Sequence, residues 1–195
     1  MNDKLSTTKK LEDFGASERI EIKLLQSHTH FLTGDIDNIT VSECVRWIVY
    51  ENLDTKIDKT LTLYINSTGG DLYEAFALVD VMKASKHPIR VIGIGAVMSA
   101  AFLIFASGTK GLRLAAPNTS FMCHQFSESM ESKYHDLKAT MKENKLCDTK
   151  MINILKDATG LTVAKIKSKL LTASDVYLST NEVIELNIAD EILTG

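Results

Sequence analysis

The sequence has few cysteines and no excess of either charge. Its three cysteines, Cys44, Cys123 and Cys147, are odd in number and show no C-x-x-C spacing. This usage argues against a disulfide framework or a zinc site and is typical of free thiols in a reducing compartment, so we expect a cytoplasmic protein. With 22 basic and 25 acidic residues, the net charge of -3 offers no general attraction for a nucleic acid.

The chain also lacks a long uninterrupted apolar run. A helix that spans a bilayer needs about 20 consecutive apolar residues, and the most apolar stretch, residues 89–106, is interrupted by one arginine and two glycines. We interpret it as a buried strand followed by a buried helix, and we predict no membrane segment. Residues 1–19 lack the apolar core of a signal peptide, and we expect them to form a mobile arm before a single domain over residues 20–195.

Strand-like and helix-like patterns alternate along the first two thirds of the chain. Segments rich in β-forming residues at 30–34, 61–66 and 89–95 are each followed by apolar residues at helical spacing. Short glycine-containing turns join them, and two further strands are predicted near 112–115 and 119–124. This alternation favours an α/β fold with mainly parallel strands.

The last third of the chain changes character. A long and strongly charged helix with a narrow apolar stripe is predicted over residues 128–159. A second helix over 163–171 and a short strand at 176–178 follow. The final helix is predicted to begin at a capping box that Ser179 forms with Glu182.

Ser99 lies where the third predicted strand changes into its helix. A serine in the first turn of a helix lies at the positive end of the helix dipole, beside backbone N–H groups without intrahelical partners. Gly95, four residues earlier, permits a tight turn before it. For a lone serine in an apolar run, the plain alternative is a small residue that permits close packing.

Two other turns supply groups that an attacking hydroxyl needs. A glycine pair ends the preceding strand, and the N–H of Gly69 or Gly70 and that of Ala100 are placed to converge as donors to an oxyanion. His124 ends a later strand, and an imidazole that titrates near neutrality is the base that a serine hydroxyl requires. The pattern therefore favours acyl transfer.

Five segments of the chain form one ordered pattern, in which 25 residues separate position 99 from position 124. They are Phe31 to Gly34, Leu63 to Gly70, Gly95 to Arg113, Pro117 to Gln125 and Asp175 to Asp190. This pattern resembles the proteolytic subunit of the Clp protease, ClpP, in the ClpP/crotonase superfamily. The resemblance implies an α/β fold of repeated strand-strand-helix units, with residues 128–159 as a protruding handle helix whose apolar stripe serves contact between rings rather than core packing.

The resemblance also implies roles for individual residues. Ser99 is the expected nucleophile, His124 the general base and then acid, and Asp175 the carboxylate that orients His124. The expected oxyanion-hole donors are the N–H groups of Gly69 and Ala100.

Substrate and partners follow from the same resemblance. Gly70, Leu72, Gln125 and Phe126 are the expected substrate-binding residues. The implied activity is that of a serine endopeptidase cleaving unfolded polypeptides or short peptides inside a homo-oligomeric chamber, a heptameric ring or a double ring, without a metal or an organic cofactor. An AAA+ unfoldase is a candidate partner.

Departures from the family pattern leave alternatives open. Residues 126–132 replace a glycine-rich strand that the family has after its histidine and glutamine, and Ser174 and Val176 replace charged residues beside the aspartate. These changes leave open a catalytically weak or inactive assembly subunit. A dedicated processing protease that acts without an ATPase is a separate alternative. A crotonase-type acyl-CoA enzyme, which shares the two-donor oxyanion hole, is a further alternative.

Overall fold

The computed structural model describes residues 10–53, 58–125 and 133–194, and a seven-stranded sheet forms their centre. The strands are β1 (Thr29–Ile36), β2 (Leu61–Gly70), β3 (Ile89–Met98), β4 (Arg113–Ala115), β5 (Ser120–Cys123), β6 (Val176–Leu178) and β7 (Glu191–Ile192). After a short 3-10 turn at Leu11–Asp13, the helices are α1 (Ala16–Gln26), α2 (Asn38–Glu51), α3 (Leu72–Ala84), α4 (Ala100–Ala106), α5 (Tyr134–Thr159), α6 (Val163–Lys169) and α7 (Thr180–Glu185).

Parallel pairing dominates the sheet. The strands β1, β2, β3, β4 and β7 lie side by side in this order, and each neighbouring pair is parallel. The strand β5 also pairs with β3 in parallel and carries β6 as an antiparallel neighbour. The predicted α/β fold with mainly parallel strands is confirmed.

The apolar run at 89–106 divides as predicted into β3 and α4. Every residue of α4 is buried, as is typical of a helix that is apolar on all sides. It packs against β2, β3, α3 and α5, so its position in the core is fixed from several directions. Within the described part of the chain, no helix is both long enough and apolar enough to span a bilayer.

The first helix was not predicted. The boundary at residue 20 falls inside α1, and residues 1–9 of the expected arm lie outside the described residues. None of the residues of α1 is buried, so it has no core-facing apolar stripe for the sequence to reveal. The mobility of the arm remains a prediction.

The predicted handle helix is described from Tyr134 to Thr159, and residues 128–132 lie outside the described part. The expectation that its apolar stripe serves contact between rings rather than core packing is wrong for the C-terminal half. Met151, Ile154 and Leu155 are buried in the core, because this half of α5 packs on α4. Met141, ten residues before Met151, is 69% exposed.

A buried arginine anchors the C-terminal segment to the sheet. Arg113 is 2% exposed, and its guanidinium donates from Nη2 to Asp190 Oδ1 at 2.6 Å and from Nε to Oδ2 at 2.9 Å. Its Nη1 donates to the carbonyl of Ala158 at 3.1 Å. Burial alone would raise the pKa of Asp190, but the bonds from Arg113 and Gly111 outweigh it and the pKa is lowered. The bonds of Arg113 therefore connect β4, the end of α5 and the segment before β7.

Candidate active site

Ser99 adopts a backbone conformation that residues with a side chain seldom adopt. Its φ is 54° and its ψ is -121°, and its N–H donates to the carbonyl of Met122 at 2.9 Å. Although Ser99 is the N-cap of α4, its hydroxyl makes no capping hydrogen bond. Such strain persists where the surroundings impose it, and here it leaves the Oγ atom available to another partner.

The pairing of β2 with β3 is irregular shortly before Ser99. The strand β3 places residues 94–96 opposite the single Asn66 of β2. The side-chain Oδ1 of Asn66 accepts a hydrogen bond from Ala96 N–H at 3.0 Å. Gly95 has a φ of 61°, and a Cβ atom there would come within 2.7 Å of the same Oδ1. The glycine singled out in the sequence is therefore required by both conformation and space.

We expect Gly95→Ala to lower peptide hydrolysis more than a glycine-to-alanine change that introduces backbone strain alone. Placing alanine in this left-handed region costs about 1–2 kcal/mol. The contact of the added Cβ with Asn66 additionally displaces residues 94–96, which precede Ser99. Gly160→Ala is a matched control, because Gly160 also has a positive φ of 72° but no atom lies within 4 Å of an added Cβ. Urea unfolding and peptide hydrolysis measure the two effects. Equal activity in both variants would contradict this prediction.

The structure brings Ser99, His124 and Asp175 into one chain of contacts. The Oγ of Ser99 lies 2.7 Å from His124 Nε2, and His124 Nδ1 lies 3.3 Å from Asp175 Oδ1. Antiparallel pairing of Cys123 with Val176 places the following and preceding residues, His124 and Asp175, side by side. The His124 side chain is 25% exposed and that of Asp175 is 51% exposed, so the carboxylate faces solvent on one side.

The N–H of Gly69, one of the two expected oxyanion-hole donors, already has an acceptor. The Gly69 N–H donates to Ser67 Oγ at 3.1 Å. The N–H of Gly69 therefore has an acceptor within its own strand. The N–H of Asp71, the residue after Gly70, donates to the carbonyl of Ile36 in β1 at 2.7 Å.

A cavity of about 280 Å³ lies beside Ser99 and His124. Gly70, Leu72 and Ala100 line it, so two of the expected substrate-binding residues are placed there. Its remaining walls come from α3, α4, β5 and α5, and they are formed by Asp71, Tyr73, Leu103, Cys123, Asn144, Cys147 and Met151. The contribution of α5 was not predicted, although Met151 belongs to the apolar stripe that was its only signal in the sequence.

The structure describes one of the other two expected substrate-binding residues. The side chain of Gln125 donates from Nε2 to the carbonyl of Leu171 at 2.9 Å, and Gln125 is not among the residues that line the cavity. Phe126 lies outside the described residues.

No group of three or more His, Cys, Asp or Glu side chains in the described ranges is arranged to hold a metal.

Two of the free cysteines are expected to be unreactive in the folded protein. Burial raises the pKa of Cys44 and that of Cys123 to about 12. Because the thiolate is the nucleophile, we expect alkylation by iodoacetamide at pH 8 to be slowed roughly a thousandfold relative to the unfolded chain. Mass spectrometry of native and guanidine-unfolded samples measures the difference. Rapid modification of Cys123 in the native sample would contradict it.

Comparison with known families places these features in context. The family model described as Clp protease matches residues 15–195. The match begins one residue before α1 and includes the strand-to-helix turn at Ser99, the end of β5 at His124 and the segment before β6 at Asp175. It covers most of the chain, and the parallel sheet agrees with a ClpP-type fold. The chain therefore belongs to the Clp protease family and is a ClpP-like serine peptidase.

Proposed function

We propose that the chain is an endopeptidase in which Ser99 attacks the carbonyl carbon of a peptide bond. The observation that carries this proposal is the 2.7 Å contact between Ser99 Oγ and His124 Nε2. The imidazole takes the hydroxyl proton as the bond to carbon forms, and it then gives this proton to the leaving amine. Asp175 holds the His124 ring in orientation and stabilises the imidazolium.

An acyl ester on Ser99 is the intermediate of this scheme. Water enters after the amine has left, and His124 removes a proton from it as it attacks the ester carbonyl. Collapse of the second tetrahedral intermediate returns the proton to Ser99 Oγ and releases the new carboxyl end of the peptide. The scheme needs no cofactor, because the side chains of the chain itself carry both protons.

We propose Gly70, in place of Gly69, as a donor to the oxyanion, together with Ala100. Support comes from the Gly69 N–H, which donates to Ser67, and from the position of Gly70 on the cavity that Ser99 lines. Ala100 is the first residue of α4, and the first N–H groups of a helix have no intrahelical acceptor. Loss of one oxyanion donor typically costs about 3–4 kcal/mol of transition-state stabilisation.

The cavity beside Ser99 supports a preference for an apolar side chain on the acyl side of the cleaved bond. Leu72, Leu103 and Met151 supply apolar wall to this cavity of about 280 Å³. We expect unfolded polypeptides or short peptides as substrates, because an enclosing ring would exclude folded chains from the sites. The family relationship supports a homo-oligomeric ring, heptameric or doubled, that encloses the sites, with a cytoplasmic location and an AAA+ unfoldase as partner.

A catalytically weak assembly subunit is the second candidate. The observation in its favour is the 51% exposure of Asp175 together with its 3.3 Å separation from His124. A carboxylate that faces solvent orients an imidazole less firmly than a buried one, and its charge is partly screened by water.

Hydrolysis of a set of short fluorogenic peptides tests the proposed function. The peptides differ only in the residue before the cleaved bond, which is leucine, methionine, lysine or glutamate, and the sample is the assembled protein, sized by sedimentation. We expect the leucine and methionine peptides to be cleaved fastest by a ring-sized species. Absence of cleavage in an assembled ring favours the assembly subunit.

The role of an unfoldase is tested separately. Capture of an ATP-dependent unfoldase on the assembled protein supports the chamber protease. Repeated failure to bind one, while peptide hydrolysis persists, favours a processing protease that acts without an ATPase.

A further inference from the structure

We infer that Gln125 is a positioning residue, which acts by holding the segment that carries Asp175 against His124. The inference rests on the proposed function. Gln125 directly follows His124, and its side-chain Nε2 donates to the carbonyl of Leu171 at 2.9 Å. The bond therefore connects the residue after the imidazole to the segment that precedes the carboxylate.

Asp175 depends on its segment for its position. Its carboxylate is about half exposed, and the contact that the structure gives it is the 3.3 Å approach to His124. The backbone before it leaves α6 and is attached at Leu171, which is 3% exposed and whose N–H donates to Ile166 at 3.0 Å. Within the segment, Thr172 Oγ1 donates to the carbonyl of Ser174 at 2.6 Å.

Two connections hold the carboxylate beside the imidazole, one on each side of Asp175. After Asp175, the chain enters β6, where Val176 pairs with Cys123. Before Asp175, the bond from Gln125 fixes the carbonyl of Leu171. Without the Gln125 bond, the segment is attached to the strand of His124 on one side only, and Asp175 has more freedom to turn toward solvent.

The sequence suggested that Gln125 binds substrate, and the two roles predict different kinetics. A residue that binds substrate affects KM, whereas a residue that positions Asp175 affects the formation of the imidazolium in the transition state and hence kcat. Gln125→Met removes the amide donor and keeps the length of the side chain without adding a charge. We expect kcat to fall between roughly twofold and tenfold, as for one net hydrogen bond, with KM unchanged.

A double-mutant cycle with Asp175→Asn identifies the group through which Gln125 acts. If Gln125 acts by positioning Asp175, Gln125→Met has no further effect on kcat in the Asp175→Asn background. Hydrogen exchange of residues 171–176, followed by mass spectrometry, gives a readout that does not require activity. We expect faster exchange there in Gln125→Met. Asn52→Leu is the matched control, because its side-chain amide donates to the carbonyl of Ile48 at 2.7 Å in a different part of the fold, and it should leave this exchange unchanged.

Three results would overturn the inference: a rise in KM at constant kcat, losses that add fully in the double variant, or unchanged exchange of residues 171–176 in Gln125→Met. A wild-type protein that hydrolyses none of the peptides contradicts the proposed function instead. In that case the exchange measurement still determines whether Gln125 holds the segment before Asp175.

Discussion

Ser99→Ala is expected to abolish peptide hydrolysis, with a fall in kcat on the order of a millionfold. The variant removes the atom that attacks the carbonyl and leaves His124 without its 2.7 Å partner. The free energy of unfolding should change little, because the Ser99 hydroxyl makes no capping bond to α4. Steady-state kinetics on the leucine peptide measure the loss, and sedimentation verifies that the variant still assembles.

Variants of two other residues distinguish the loss of the nucleophile from a general loss of structure. His124→Ala should reduce kcat about as much as Ser99→Ala, and the double variant should be no worse, because the groups act as one unit. Ser107→Ala is the matched control: it lies just after α4, where its hydroxyl donates to Leu103, and it should remain active. Retained peptide hydrolysis in Ser99→Ala would contradict the assignment of Ser99 as the nucleophile.

Asp190→Asn is expected to lower the free energy of unfolding by about 3–5 kcal/mol at neutral pH, as for a broken buried ion pair. The substitution leaves the guanidinium of Arg113, which is 2% exposed, without its negative partner. The same change weakens the connection of the segment before β7 to β4. Urea unfolding followed by circular dichroism measures the difference.

The difference between wild type and Asp190→Asn should depend on pH. Since Arg113 lowers the pKa of Asp190 in the folded protein despite its burial, the carboxylate stabilises the fold fully above its unfolded pKa of about 3.9. This contribution is lost as the pH falls through the lower folded value. The two proteins should therefore differ most at neutral pH and converge in strong acid.

An exposed ion pair provides the control for the buried one. Asp157 pairs with Lys83 at 3.2 Å, and their side chains are 66% and 45% exposed. Asp157→Asn should cost less than about 1 kcal/mol. Equal losses in Asp157→Asn and Asp190→Asn would contradict the structural role given to the Arg113 pair.

Local patterns in the sequence predict much of the sheet and its helices. The division of the apolar run into β3 and α4 follows from its glycines and from Ser99. The strand β7 was not predicted because two residues are too few to show an alternating pattern, and it forms by parallel pairing with β4. The irregular pairing opposite Asn66 depends on a contact between two strands, which no pattern within β3 alone contains.

The candidate site was predictable in its members but not in all their contacts. The positions of Ser99 and His124 at strand ends indicated these two residues, the resemblance added Asp175, and the structure places the three side chains in contact. That the N–H of Gly69 is occupied depends on the hydroxyl of Ser67, a partner two residues away. Whether a backbone N–H has a side-chain acceptor depends on where that side chain lies in the fold, which its residue type alone does not give.

Reaction of the assembled protein with a fluorophosphonate, followed by peptide mapping, tests the proposed nucleophile most directly. We predict one covalent adduct, on Ser99, which is absent from His124→Ala because the hydroxyl is then no longer activated. No adduct on Ser99, under conditions in which a related serine peptidase is labelled, would contradict the assignment of Ser99 as the nucleophile.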